Sequence, residues 1–322
     1  MAGLKADARI LVTGAAGFVG GHVRGALRAA FPQARLIAGL HRRPAPGWDE
    51  SVAIDLADAP ALPGLLERLA PDAVLHLGAQ ANVAASFTDV AATWDANLTA
   101  TLNLGAAMLA ALPQARLLFA STSEIYGLSF QRGTALDEQA PLAPSNPYAA
   151  AKAAADIALG EMALRGLRVV RMRPLNHVGP GQSAGFAVAA FARQVARIEA
   201  GLQEPVLRVG ALERWRDFLD VRDVAAAYAR ALAKWEALPN GVALNLASGT
   251  PRRIGDVLAA LIGRSTTPML VEETAGALRP NDIIRSLGDA GRAHDLLGWA
   301  PTTPWEETLD CVLEDWRARV LA

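Results

Sequence analysis

The sequence predicts an α/β protein, a doubly wound parallel sheet with a smaller mixed α/β lobe towards its C-terminus. Three observations predict it. An apolar strand at Arg9–Thr13 runs directly into the glycine turn G-A-A-G-F-V-G and then into an apolar helix pattern. Strand-like and helix-like segments alternate through the first half, as they do where helices cover both faces of a parallel sheet. After about Pro174 the alternation loosens into short strands mixed with helices.

The glycine turn comes first in the chain. Gly14 permits a tight turn, Gly17 lets a ligand approach the backbone, and Gly20 lets helix and strand pack closely. Val19, Val23, Ala26, Leu27 and Ala30 give the following helix its apolar face, which ends near Phe31-Pro32. Strand, glycine turn and helix in this order are the layout of a Rossmann-type dinucleotide-binding unit, in which backbone N–H groups at the helix start hold a pyrophosphate. Further strands are expected at residues 35–40, 52–54, 73–77, 116–120 and 168–172, and helices at 59–69, 90–112, 148–165 and 186–200. Strands at 206–209 and 242–246 and helices at 221–235, 254–262 and 304–321 then build the second lobe. The expected division is 1–174 for the dinucleotide-binding body and 175–322 for a substrate lobe. The chain is expected to cross between them more than once, with the lobe closing over the carboxyl edge of the sheet.

Composition narrows the function. With 322 residues, 52% of them hydrophobic, the chain can bury a large core. A net charge of −1 gives no nucleic-acid or membrane footprint. Cys311 is the only cysteine, which excludes an internal disulfide and a cysteine-based zinc site. The five histidines form no ligand spacing, so no metal is expected. The first strand starts too early for a signal peptide and no apolar run is long enough to span a bilayer, so the expected location is cytoplasmic.

Candidate chemistry lies at the ends of the strands. The second strand ends in H-R-R, with no acid to hold a ribose diol. Arg42 and Arg43 there suit a 2′-phosphate, hence NADP, with NAD possible. Asp55 can accept from an adenine amino group, or serve as a turn aspartate. Gly78 and Ala79 leave room for a cofactor, while His76 reads as a strand residue with a satisfied side chain. The fifth strand delivers S-T-S-E-I-Y-G, in which the Thr122 hydroxyl can bind a substrate oxygen and Glu124 can act as acid or base. In S-N-P-Y-A-A-A-K, Tyr148 and Lys152 fall on one helix face. A free phenol titrates near pH ~10, and a neighbouring ammonium is expected to lower that so the tyrosine can exchange a proton with an alcohol or ketone.

Taken together, the glycine turn, the Thr122–Glu124 segment and the Tyr148/Lys152 pair resemble the extended short-chain dehydrogenase/reductase family, the NAD-dependent epimerases and dehydratases, over essentially the whole chain. The resemblance implies that Thr122, Tyr148 and Lys152 are the catalytic hydroxyl, the acid/base and its cationic partner, with Lys152 also on the nicotinamide ribose. It implies a cofactor set of Gly14, Gly17, Phe18, Val19, Gly20, Arg42, Arg43, Asp55, Leu56, Leu77, Gly78, Ala79, Asn97, Tyr148, Lys152 and His177, the last packing on the nicotinamide end. Within the family, T-S-E-I-Y-G is similar to the branch that dehydrates GDP-mannose. R-P-L-N-H-V-G-P-G-Q, V-G-A-L-E-R-W-R-D-F-L-D-V-R-D-V and R-P-N-D-I are similar to the branch that reduces the resulting GDP-linked 4-keto-6-deoxyhexose to GDP-D-rhamnose. G-P-G-Q-S-A-G-F stands where the dehydrating branch is expected to carry a basic stretch, which favours reduction; dehydration and epimerisation are the alternatives.

On the substrate side, Ser86 and Asn176 are candidates for the sugar or diphosphate. Arg216 and Arg279 suit a diphosphate clamp, because guanidinium groups fork onto phosphate oxygens. Arg193 is a weaker third that reads better as a surface salt bridge. Asp220 and Asp223 are expected to cap the helix that starts near Val221. The alanine-rich helices at 90–112 and 148–165 can approach closely, and the resemblance implies that they pair in a homodimer.

Overall fold

The computed structural model describes residues 4–41, 43–274 and 283–321; Arg42 and Arg279 lie outside them. In chain order come β1 (Arg9–Thr13), α1 (Phe18–Ala30), β2 (Arg35–Leu40), β3 (Glu50–Ala53), α2 (Leu62–Leu69), β4 (Ala73–His76), α3 (Val83–Thr88), α4 (Val90–Trp94), α5 (Ala100–Ala111) and β5 (Arg116–Ala120). Then follow α6 (Pro147–Leu164), β6 (Arg168–Pro174), β7 (Asn176–Val178), α7 (Ala187–Glu199), β8 (Val206–Val209), β9 (Trp215–Asp220) and α8 (Val221–Ala233). The last elements are β10 (Ala243–Leu246), β11 (Pro251–Arg253), α9 (Ile254–Ile262), β12 (Leu270–Glu273), α10 (Gly291–Leu297) and α11 (Trp305–Leu321).

Seven strands form one parallel sheet in the order β10-β6-β5-β4-β1-β2-β3. β1 sits inside it, with Ile10 opposite Leu36 on one side and Ala73 on the other. The chain proceeds outwards from β1 in one direction through β2 and β3 and in the other through β4, β5 and β6. The connections therefore diverge between β1 and β4, and a crevice opens at the carboxyl ends there. Both faces are covered, as the near-continuous apolar strands require. Val23, Leu27, Tyr228, Leu232 and Leu297 bring α1, α8 and α10 onto one face. Leu66, Leu104, Met108 and Leu159 bring α2, α5 and α6 onto the other.

A separate core holds the lobe, with Phe191 and Val195 of α7, Leu258 and Leu261 of α9, and Leu313 and Trp316 of α11 packed around Leu207 and Phe218. Besides α10, two segments beyond residue 174 return to the first body. α8 lies against α1, and β10 pairs with β6 through Leu244 and Met172.

The helix expected at 90–112 is interrupted: α4 and α5 are joined by one π-helical turn, Asp95–Thr99. Asn97 and Thr101 explain it, because their side chains enter the backbone ladder. Asn97 Nδ2 donates to the Thr93 carbonyl at 3.0 Å, and the Thr101 hydroxyl donates to the Asn97 carbonyl at 2.8 Å. α2 begins at Leu62, later than the expected residue 59, with Pro63 in its first turn.

Candidate active site

The glycine turn has the geometry that its composition requires. Gly14 has φ +71°, and a Cβ there would stand 2.7 Å from the backbone nitrogen of Gly78. Gly17 precedes α1 in an extended conformation, its N–H bonded to the Gly14 carbonyl at 2.9 Å. A Cβ on Gly20 would collide with the Ala15 carbonyl, so the first turn of α1 lies flat on the glycine turn. Phe18, Val19 and Gly20 therefore present α1's unpaired N–H groups beside the strand ends, a cradle suited to a diphosphate. Arg43 is exposed beyond β2. Asp55 is exposed beside a cleft of about 590 Å³ lined also by Leu40, His41 and Ile54, and one of its oxygens accepts the Ala57 N–H at 2.9 Å. Leu56 is half-buried against the α2–α5 core.

Leu77, Gly78 and Ala79 continue from β4. Gly78 donates to the Thr13 hydroxyl at 3.3 Å. That hydroxyl bonds His76 Nδ1 at 2.6 Å, and His76 Nε2 bonds the Thr101 hydroxyl at 3.1 Å. Since the Thr101 proton goes to Asn97, the imidazole donates from Nε2 and accepts at Nδ1. Burial, then the nearby Lys152, depresses His76 to about 3, so it is a neutral spacer. Asn97 differs from expectation. Its amide oxygen accepts the Gln80 N–H and its nitrogen donates to the Gln80 carbonyl, both at 3.1 Å, so it fastens the loop after β4 with polar atoms already engaged. Ser86 is likewise turned inwards: it is fully buried and donates to the Val83 carbonyl at 2.7 Å.

The carboxyl ends of β5 and β6 lie side by side, Ala120 opposite Met172. Thr122 leaves β5 as the cap of a short 3₁₀ segment, its hydroxyl accepting the Glu124 N–H at 3.2 Å. Asn146 caps α6 by accepting the Ala149 N–H at 2.8 Å, with Pro147 following in the first helical position. Asn146 also donates to the Glu124 carboxylate at 3.4 Å. Tyr148 stands in the first turn, buried, its phenol close enough to the Thr122 hydroxyl and the Glu124 charge to feel both. Thr122, Glu124 and Tyr148 are thus gathered at the start of α6.

Lys152 corrects one expectation. Its Nζ donates to the Ala120 carbonyl at 2.6 Å and lies 4.0 Å from the centre of the Phe119 ring. Burial pushes the Tyr148 phenol up from its ordinary value; the Thr122 hydroxyl opposes this and the Glu124 charge adds to it. Burial also brings Lys152 down to about 7, against the pull of Asp156. In this arrangement desolvation outweighs charge pairing, and the phenol holds its proton firmly.

A second cleft begins where β6 ends. Asn176 and His177 of β7 pair with Phe218 and Leu219 of β9 and line a cleft of about 430 Å³ with Gln182, Phe186, Gln194, Arg208, Arg214 and Arg216. Arg216 donates to the carbonyls of Trp215 at 2.9 Å and Ile283 at 2.8 Å. Arg193 is exposed and is not part of the lining, because the phase of α7 turns it away and brings Gln194 in. Arg208 and Arg214 were not anticipated; Arg214 was legible from R-W-R, since alternate residues of a strand share a face. His177 donates to the Leu175 carbonyl at 3.1 Å, and its ring lies nearly parallel to that of Phe18.

The loop after β7 is held from both sides. His22 of α1 donates to the Pro180 carbonyl at 2.9 Å, while Asp315 and Arg319 of α11 bond the Gly181 N–H at 2.9 Å and the Gln182 carbonyl at 3.0 Å. Asp220 caps α8 as expected, accepting the Arg222 N–H at 2.7 Å. Asp223 does not cap it: its carboxylate accepts from the Thr302 and Thr303 N–H groups, both at 3.1 Å, pinning the start of the C-terminal segment. No metal-binding cluster of acids, histidines or cysteine occurs among the described residues, and none of their helices is long and apolar enough to cross a membrane.

A glycine cradle at the divergence of a parallel sheet, with a buried Tyr-x-x-x-Lys helix beside a Thr and a Glu, defines a dinucleotide-dependent enzyme of the short-chain dehydrogenase type. The chain belongs to the NAD dependent epimerase/dehydratase family, whose pattern matches residues 10–247. It is 36% identical over 313 residues to the GDP-6-deoxy-D-mannose reductase of Pseudomonas aeruginosa, covering 97% of this chain and 98% of that one. It is 29% identical over 291 residues to the GDP-mannose 4,6-dehydratase of Vibrio cholerae, covering 81% and 77%. The structure of RMD from Pseudomonas aeruginosa complexed with NADPH superposes with a TM-score of 0.84 at 34% identity, covering 97% of this chain and 99% of that chain.

Proposed function

We propose that the protein reduces the C4 ketone of GDP-4-keto-6-deoxy-D-mannose with NADPH, yielding GDP-D-rhamnose. The observation that carries this reading is the buried Tyr148 phenol, beside Thr122, in a chain similar end to end to a GDP-6-deoxy-D-mannose reductase. The glycine cradle fits a dinucleotide, since a Cβ at Gly14 or Gly20 would strike the Gly78 or Ala15 backbone and push the turn out of the shape that presents the N–H groups of α1. The N–H groups of α1 would hold the diphosphate, Arg43 with Arg42 the 2′-phosphate, Asp55 the adenine amino group, and Lys152 the ribose. NADPH, when bound, supplies the hydride.

Ketone reduction needs a proton at the developing alkoxide, and Tyr148 is the donor. An alkoxide is far more basic than any phenol, so a phenol raised by burial is loaded at neutral pH and still able to give its proton. Thr122 orients the carbonyl oxygen, and Arg216, with Arg214, draws the diphosphate into the cleft. Exposed apolar side chains on α3, α4 and α6 (Phe87, Val90, Ile157 and Leu164) support pairing of two copies through these helices.

Glu124 favours a second reading, a GDP-mannose 4,6-dehydratase, because a carboxylate beside Tyr148 is placed to take the C5 proton. Incubation with GDP-4-keto-6-deoxy-D-mannose and NADPH is expected to consume one NADPH per GDP-D-rhamnose formed. Conversion of GDP-mannose to a 4-keto product with no net change in cofactor would replace the reductase by the dehydratase. Interconversion of C4 epimers without net cofactor change would indicate an epimerase.

A further inference from the structure

Behind Lys152, one helical turn along α6, a carboxylate lies out of contact with solvent. Asp156 is 0% exposed. Arg171 donates to its Oδ1 at 2.8 Å, and Arg173 grips both oxygens, from Nη2 at 2.7 Å and Nε at 3.1 Å. Arg171 and Arg173 are alternate residues of β6, so both point at α6. Arg173 also donates to the Tyr126 hydroxyl at 3.0 Å, which donates to Asn245 at 2.7 Å. Aliphatic side chains would fill a strand–helix seam without the desolvation cost of three ionised groups. The cluster adjoins Lys152, whose ammonium is otherwise set between the Phe119 ring and the Ala120 carbonyl.

We infer that Asp156 is a positioning residue for Lys152, supplying the counter-charge that keeps the ammonium in place, and that Arg171 and Arg173 set how strongly it acts. This rests on the reading above that Lys152 holds the cofactor ribose. The other groups facing this point are accounted for. His76 of β4 is neutral, Tyr148 of α6 keeps its proton, Glu124 after β5 faces Tyr148, and Glu138 faces Arg292 and the Asn245 N–H. Asp156 is the nearby carboxylate that raises Lys152, while burial lowers it.

The test is NADPH affinity against pH, read by cofactor fluorescence across the neutral and alkaline range. The wild type is expected to lose affinity along one limb as Lys152 loses its proton. Asp156→Asn moves that limb to lower pH by about one unit, the size expected for loss of an opposite charge nearby. Arg171→Gln, which keeps the two-pronged Arg173 grip, moves it to higher pH. Lys152→Met removes it. A limb that stays in place in both folded variants, with affinity merely lower at every pH, makes the cluster purely structural and overturns the inference. If Asp156→Asn does not fold, Arg171→Gln decides alone: an upward shift supports the inference and an unmoved limb overturns it. A wild-type limb persisting in Lys152→Met overturns the reading of Lys152 itself, and the inference with it.

Discussion

The crevice at the strand ends and the cleft in the smaller lobe use charge in opposite ways. Around Tyr148 and Lys152 the groups are buried, and desolvation dominates their proton affinities. Around Arg216 the cations are half-exposed or exposed; Arg216 leans on the carbonyls of Trp215 and Ile283, and Arg208 on the carboxylates of Glu204 and Glu272. A dry site changes what a group can do to a proton, whereas a wetter one can exchange water for a phosphate reversibly. Damage to the first is therefore expected in turnover, and damage to the second in substrate affinity.

The largest effect expected from this contrast is that of Tyr148→Phe. Steady-state assays should show turnover lower by about 10²–10⁴-fold, the usual size for a lost acid/base group, with NADPH affinity little changed. Retained turnover would break the contrast at its centre. Gly20→Val comes next. Its side chain would drive the first turn of α1 off the Ala15 carbonyl, and NADPH titration should show affinity reduced roughly 10–100-fold, in line with overpacking costs of about 1–3 kcal/mol. Arg216→Gln should raise the KM for the GDP-sugar by about tenfold or more and leave kcat within a few fold, as the loss of a charged hydrogen bond suggests. A fall in kcat alone would place Arg216 with the chemistry.

The smallest effect concerns stability. His76 titrates near 3 when folded, against an ordinary 6.5. Between those values the unfolded chain binds a proton that the folded chain does not, so His76 makes stability fall as pH drops from 6.5 towards 3. Urea unfolding at neutral pH and at about pH 4.5 should show this loss in the wild type and less of it in His76→Gln.

The same contrast governs what the sequence reveals. Gly14, Gly17 and Gly20 were legible because each answers a backbone constraint, and Tyr148 with Lys152 because helical spacing puts them on one face. β7, β9 and β11 were not anticipated. They are short, and R-D-F-L-D mixes charge with apolar residues, so periodicity is weak. Asn97 and Ser86 were read as ligand contacts; that both side chains bond backbone groups is something sequence does not show. The direction of the Tyr148 shift was also missed: spacing places an ammonium within reach of a phenol but does not weigh that charge against burial.

The strap that α11 places across the G-P-G-Q loop has a practical consequence. Asp315 and Arg319 reach that loop from the last two turns of the chain's final helix, and Arg319 also lies over the Trp316 ring. Trimming the polypeptide by a few residues, or fusing a bulky purification handle at that end, would loosen a wall of the cleft lined by Gln182 and Arg216 from a distance. Expression designs that leave the last helix intact and carry the handle at the opposite terminus preserve the grip.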